Sequence, residues 1–319
     1  MSHENIRIKH FPVSFFATIM GMSGFSIAIE KAEVIYQPSF SLSLFLCSFN
    51  LILFLALASL YLYKIFTESE VVIKELRHPI KLSFFPTISI SLILLSISTL
   101  NHFPLLAEIL WMFGASLHLV FTLFILNSWI NHEHFEIHHM NPAWFIPIVG
   151  NILVPIAGVK LGYHDISWFF FSIGIVFWPI LLAIIFNRLI FHPPLPGKLL
   201  PTFFIFIAPP AVGFISYINL NGTLDNFATI LYFTGLFFTL LVFSQVKKFY
   251  KLEFFLSWWA YSFPLAAISI ATMLMYQLTQ KHIYSILALI LLAILNFVII
   301  ILIFKTTQAV LNKDICIEE

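Results

Sequence analysis

The chain has 319 residues, of which 60% are hydrophobic and only 10% charged, with 38 phenylalanines and a mean hydropathy of +0.98. Soluble domains carry about a quarter charged residues, so a soluble globular protein is excluded; a net charge of +1, without clustered Lys and Arg, also argues against a nucleic-acid partner. The apolar runs are long and do not alternate in polarity, which selects transmembrane helices over barrel strands.

In chain order, apolar runs bounded by charge, Pro, Asn or Gly predict ten membrane-spanning segments, at about 11–29, 40–64, 82–100, 104–130, 143–163, 166–190, 199–219, 224–246, 254–278 and 282–304. The first follows Arg7 and Lys9 as a signal peptide would. It is too long for one, however, and runs into Glu30 and Lys31 without a small-residue cleavage site, so it is kept as a helix. An even number of spans places both termini on one side. That side holds thirteen Lys and Arg, including Lys64, Lys74, Arg77, Lys81, Arg188 and Lys198, against Lys31, Lys160 and Lys281 on the other. The excess predicts cytoplasmic termini. No extramembrane domain fits, and residues 1–319 read as a single transmembrane domain with short tails. Cys47, in an apolar run, and Cys316, in the polar tail, are too differently placed to suggest a disulfide or a metal site.

Proline marks an internal repeat. Pro12 opens the first segment, Pro86 lies in the third, Pro147 and Pro155 in the fifth, Pro209 and Pro210 in the seventh, and Pro264 in the ninth; among the even segments only the sixth holds an internal one, Pro179. Pro inside a helix deletes a hydrogen bond and kinks the rod, which membranes tolerate where neighbours or water satisfy the freed carbonyl. The spacing of Pro86, Pro147, Pro209 and Pro264 is 61, 62 and 55 residues. Five hairpins, each with a kinked and a straighter helix, are therefore expected to form a quasi-symmetric ring with the kinked helices inside, around a central passage.

The expected interior lacks the charges that proton-coupled carriers and pumps use. Glu108, Lys160 and Asp165 lie near one membrane face, and only His118 falls mid-membrane, on an even segment, where it reads as a hydrogen-bonded packing residue. Passive conduction is the simpler reading. The odd segments are rich in hydroxyls and aromatic rings, which makes Phe15, Phe16, Phe84, Phe85, Phe145, Phe203, Phe206 and Phe263 candidate pore-lining residues. A narrow aromatic constriction gates by blocking or dewetting. Ring edges, hydroxyl hydrogens and the N-terminal ends of broken helices are partially positive and suit an anion without a fixed cation.

The tract His132-Glu133-His134-Phe135-Glu136-Ile137-His138-His139 follows no recognised ligand spacing and reads as a solvated loop rather than a metal site. His118 has no mate for haem ligation. Phosphate loops, nucleophile elbows and HExxH motifs are not found. The reading is therefore not an enzyme, and it includes no cofactor and no metal.

Several motifs resemble the tellurite-resistance/dicarboxylate transporter family, which includes bacterial TehA and the plant slow-type anion channels. They are Trp258-Trp259-Ala260-Tyr261-Ser262-Phe263-Pro264-Leu265, Asn141-Pro142-Ala143-Trp144-Phe145-Ile146-Pro147 through Asn151, Gly162-Tyr163-His164-Asp165, Ala208-Pro209-Pro210-Ala211, and His78-Pro79-Ile80-Lys81, with Lys for the family's Arg. The likeness covers nearly the whole chain. It implies ten helices in five hairpins around a pore, a homotrimer with one pore per subunit, and a multi-pass protein of the cell membrane, such as a bacterial inner membrane. It also implies that Phe263 is the aromatic plug, a choice that composition alone leaves open. One departure is Ile19, where bacterial relatives often place a proline in the first helix; another is that the long phosphorylatable tails of the plant relatives are lacking. The expected function is a gated channel for small monovalent anions such as chloride and nitrate. The alternative is a transporter or exporter of malate and other dicarboxylates or of sulfite, with a tellurite-resistance role.

Overall fold

The computed structural model describes residues 8–131, 135–249 and 251–316. Among them the chain forms helices and no strands. The main helices are α1 (Val13–Tyr36), α2 (Ser43–Thr67), α3 (Lys81–Thr99), α4 (Pro104–Asn131), α5 (Pro142–Gly158), α6 (His164–Phe191), α7 (Gly197–Asn221), α8 (Asn226–Phe243), α9 (Leu256–Thr279) and α10 (His282–Leu311). All but α5 are long and apolar enough to cross a membrane, and α5 is a shorter apolar helix.

These helices coincide with the ten predicted segments, and the differences at their ends have local causes. α1 runs past the predicted stop at residue 29 because its charges find partners. Glu30 accepts from Asn101 Nδ2 at 2.7 Å, and Glu33 accepts from the backbone N–H of Ser43 at 3.1 Å and from its hydroxyl at 2.6 Å, so it caps the start of α2. α5 ends earlier than predicted. Tyr163 N–H donates to the Gly158 carbonyl and Gly162 N–H to the Val159 carbonyl, while Gly162 sits at φ +90°. This is a Schellman ending, which favours glycine at the left-handed position.

The stretch expected to be a loop after α2 contains a further helix, Ser69–Arg77. Its Glu75 is buried against Lys64 at 2.7 Å, and Lys64 also donates to the Phe11 carbonyl at 2.8 Å. The end of α2, the short helix and the segment leading into α1 are thereby tied together. The charge count assigns Lys64, the last residue of the second predicted segment, to the cytoplasmic side without a partner. Burial of this pair requires all three chain segments to meet, which local sequence does not reveal.

Successive helices pack as hairpins: α1 with α2, α3 with α4, α5 with α6, α7 with α8, and α9 with α10. In addition α1 contacts α3, α3 contacts α5, α5 contacts α7, α7 contacts α9, and α9 returns to α1. Each even helix also touches the odd helix that follows its own partner, with α10 closing onto α1. Burial divides the same way. The apolar stretches of α1, α3, α7 and α9 are 72 to 89% buried and those of the even helices only 28 to 39%; in α5 nearly every residue from Ile146 to Gly158 is buried.

Lipid tails are as apolar as leucine, so these helices associate through close packing and hydrogen bonds. At Gly114, Gly174 and Gly235 of α4, α6 and α8, an added Cβ would come within 3.0 to 3.3 Å of a backbone nitrogen of the partner helix. Side-chain donors stitch other seams: Trp111 Nε1 to the Val154 carbonyl (2.9 Å), Ser216 to the Ile152 carbonyl, and Trp259 Nε1 to Thr306 (2.9 Å). Hydrogen bonds of this kind contribute roughly 0.6–2 kcal/mol each within membranes.

Candidate functional site

Each inner helix starts as a 3-10 turn and then widens to an α-helix: Val13–Phe15, Lys81–Phe84, Pro142–Phe145, Gly197–Ile207 and Leu256–Tyr261 are the 3-10 portions. The repeated prolines explain the change. Pro86, Pro147, Pro209, Pro210 and Pro264 all fall in the first three positions of the α-helical portions. There the fixed φ suits the helix and the missing N–H has no α-helical partner to lose. In place of a kink within one α-helix, these prolines mark the junction of two helical forms. Pro155 lies inside the α-helical part of α5.

Two cavities lie among the inner helices, of about 50 Å³ and about 40 Å³, and all five inner helices contribute to both. The lining residues recur at matching steps. The recurring set is Ser14, Ala17, Met20, Gly24 and Ile27 on α1; Phe84, Thr87, Ile90, Leu94 and Ile97 on α3; Ile146, Val149, Leu153 and Ile156 on α5; Thr202, Ile205, Ala208, Val212 and Ile215 on α7; and Ser257, Ala260, Phe263, Ala267 and Ile270 on α9, where Leu256, Trp259 and Pro264 also border the first cavity outside this register. Steps of three keep one face in a 3-10 helix, and alternating steps of three and four keep it in an α-helix. The change of helical form therefore preserves a single lining face along each rod.

Phe263 is the residue common to both cavities. It is 7% exposed, and its ring rests against α1 where Gly24 leaves room; a Cβ on Gly24 would lie 3.2 Å from the ring. None of the lining residues is ionisable. Hydroxyls cluster in the first cavity, and three of the four donate to backbone carbonyls: Thr87 to Phe84, Thr202 to Leu199 and Ser257 to Lys198, each at 2.6 Å. The helix junctions are closed too, because Ile146, Ala208 and Ser262 donate their N–H groups to the carbonyls of Ala143, Ile205 and Trp259. These groups do not aim a donor into the cavity in this conformation.

Of the candidate phenylalanines, Phe84 and Phe263 line the cavities. Phe15, Phe16 and Phe85 belong to a separate cluster facing α2. Phe16 meets Phe54 at 5.9 Å and Tyr61 at 5.9 Å, and Phe85 meets Tyr61 at 6.4 Å. Phe206 of α7 meets Phe145 of α5 at 5.5 Å and Phe203 of its own helix at 6.0 Å, and it also packs on Phe186 of α6 and Phe238 of α8. The aliphatic lining was missed at the sequence level because its signal is the repeated step along each helix, whereas the phenylalanines are distributed through both faces.

The remaining sequence candidates have other surroundings. His118 is fully buried, with Nε2 3.0 Å from the Pro147 carbonyl and Nδ1 2.9 Å from the Ser89 hydroxyl, which links α3, α4 and α5 behind the cavity wall. The same Pro147 carbonyl accepts from Thr122 and Asn151. Glu108 accepts from the Tyr163 hydroxyl at 2.5 Å at the turn after α5. In the histidine tract, His132, Glu133 and His134 lie outside the described residues; His138 pairs with Glu136 at 3.2 Å, and His139 accepts from the Glu136 N–H at 3.0 Å.

The family described as SLAC1, voltage-dependent anion channel, matches residues 10–307. An uncharacterized transporter of Methanocaldococcus jannaschii is 30% identical across 97% of both chains. The S-type anion channel SLAH2 of Arabidopsis thaliana is 30% identical over 83% of this chain, which spans about half of the plant protein (52%). The tellurite resistance protein TehA homolog of Haemophilus influenzae is 27% identical over 81% of this chain and 79% of its own length. With inner helices lined throughout by uncharged residues and a family match over nearly all of its length, the chain belongs to the SLAC1 voltage-dependent anion channel family.

Proposed function

We propose that this protein is a gated anion channel whose single transmembrane domain, residues 1–319, encloses one pore between α1, α3, α5, α7 and α9, with Phe263 as the plug. The supporting observation is that Phe263 belongs to two cavities that share no other lining residue and draw on all five inner helices. The closed cycle of contacts among those helices supports a quasi-five-fold arrangement of hairpins. In this reading the Phe263 ring turns aside to join the cavities, and small monovalent anions such as chloride and nitrate pass through the cell membrane. The charge bias of the loops supports cytoplasmic termini, and the resemblance of the sequence motifs implies a homotrimer with a pore in each subunit.

With no fixed cation along the path, selectivity follows the cost of dehydrating the ion. Nitrate is then expected to pass more easily than chloride. The same absence disfavours tight binding of a dicarboxylate, which calls for paired cationic groups.

The test is current through the purified protein in a planar bilayer, wild type against Phe263→Ala, in chloride and then nitrate. The expected result is at least a tenfold rise in anion-selective current for the variant, larger in nitrate. Silence from both, with labelled dicarboxylate still exchanging across liposomes, would identify a carrier and reduce Phe263 to packing.

A further inference from the structure

The second cavity has a feature that the plug does not explain. Its lining includes Ile27, Ile97, Ile156, Ile215 and Ile270, one from each inner helix. Each lies three residues beyond another residue of that same lining, namely Gly24, Leu94, Leu153, Val212 and Ala267. The isoleucines therefore occupy one register, a single turn farther along every rod. The other registers are mixed. That of Phe263 contains Met20, Ile90, Val149 and Ala208, and the one at the far end of the first cavity contains Ser14, Phe84, Thr202 and Ser257. Only the isoleucine register carries one residue type on all five helices. It faces the ends where the odd helices turn into their hairpin partners. Ile27, Ile156 and Ile270 are partly exposed, as expected for side chains bordering open space, while Ile97 and Ile215 are buried, at 8% and 6% exposure.

We infer that these five isoleucines form a second, hydrophobic barrier in series with Phe263, at the mouth of the pore opposite the hydroxyl-bearing end. The inference rests on the channel reading of the same path. Isoleucine suits the role because its two branches at Cβ leave essentially one χ1 rotamer in a helix, so five of them form a stiff apolar collar. Such a collar obstructs ions by dewetting, with no need for contact closure. An ion crossing it sheds hydration without compensation, so the collar is a specificity determinant as well as a barrier. Opening Phe263 alone then leaves a residual cost that falls hardest on strongly hydrated anions.

Polarity, separated from size, provides the test. In a Phe263→Ala background, Ile156 and Ile270 are both changed to Thr in one variant and both to Val in another; Thr and Val have nearly the same shape, but only Thr wets the collar. Currents are recorded in chloride and nitrate in planar bilayers, using protein that remains monodisperse in detergent. The Thr variant should carry at least threefold more chloride current than the Val variant, with a smaller preference for nitrate. If Phe263→Ala conducts and the Thr and Val variants match each other in current and preference, the collar is refuted while the plug stands. A silent Phe263→Ala with a conducting Thr variant would make the collar the dominant barrier. Silence from every variant would overturn both the collar and the channel reading beneath it.

Discussion

The inner and outer helices are made from nearly the same apolar alphabet, yet they have opposite surroundings. In α1, α3, α7 and α9 most of the apolar stretch is buried, whereas in α2, α4, α6, α8 and α10 about two thirds of it faces outward. A soluble protein sorts its helix faces by polarity; in lipid that criterion vanishes, and packing shape replaces it. The outer helices display large side chains such as Phe113, Ile230, Phe297 and Ile300. The inner helices hold the junction prolines and many small or hydroxyl residues, including Ser23, Ser89, Ser216 and Ser269, all fully buried. Small residues let five helices approach one another, and the prolines set the change of helical form that keeps one face turned to the cavities.

The largest test of this contrast lies where an outer helix breaks it. α2 ends in a charge, Lys64, that is wholly buried against Glu75. Lys64→Ala leaves that carboxylate buried and unpaired, at a cost of roughly 3–5 kcal/mol. It should lower the thermal midpoint in detergent steeply, and the apolar double change Lys64→Met with Glu75→Leu should restore most of the loss. A single variant that melts with the wild type would show that the anchor is dispensable.

A smaller loss is expected from adding one methyl group among the inner helices. At Gly150 a Cβ would fall 2.1 to 2.7 Å from three atoms of the His118 ring. Gly150→Ala must displace that ring from the Pro147 carbonyl and the Ser89 hydroxyl, which overpacking and lost hydrogen bonds put at about 2–4 kcal/mol. Denaturation in mixed micelles measures it, and an unchanged midpoint would mean that the inner packing is looser than argued.

The smallest effect belongs to the lipid face. Phe297 on α10 is 65% exposed, so Phe297→Ala should change stability by about 0.5 kcal/mol or less. A loss comparable to that of Gly150→Ala would reveal a partner on this face and undo its assignment to lipid.

How much was legible beforehand can be argued from particular residues. The ten apolar helices followed from run length, because a membrane span needs about 20 apolar residues wherever it sits. Ser69–Arg77 was not legible. It is short and charged, and its buried Glu75 is acceptable only because Lys64 reaches it. The prolines announced a repeat but obscured its register. Pro209 and Pro264 follow Ala208 and Phe263 by one residue, whereas Pro86 precedes Ile90 by four and Pro147 precedes Val149 by two, although Ile90, Val149, Ala208 and Phe263 share a lining register. Proline marks where the 3-10 portion ends, and that point shifts along the axis from helix to helix.

Sequence by itself determined that this is a helical membrane protein, roughly where each helix starts and stops, and, through its motifs, the family to which it belongs. These properties depend on local composition and chain order. Tertiary structure alone decided which apolar side chains face a cavity and which face lipid, that Phe84 lines the interior beside the Phe263 that the motifs single out while Phe16 and Phe206 join helices together, and that five isoleucines share one register. In a chain where almost every residue is apolar, hydrophobicity carries no information about direction. Only the packing of five helices against one another supplies it.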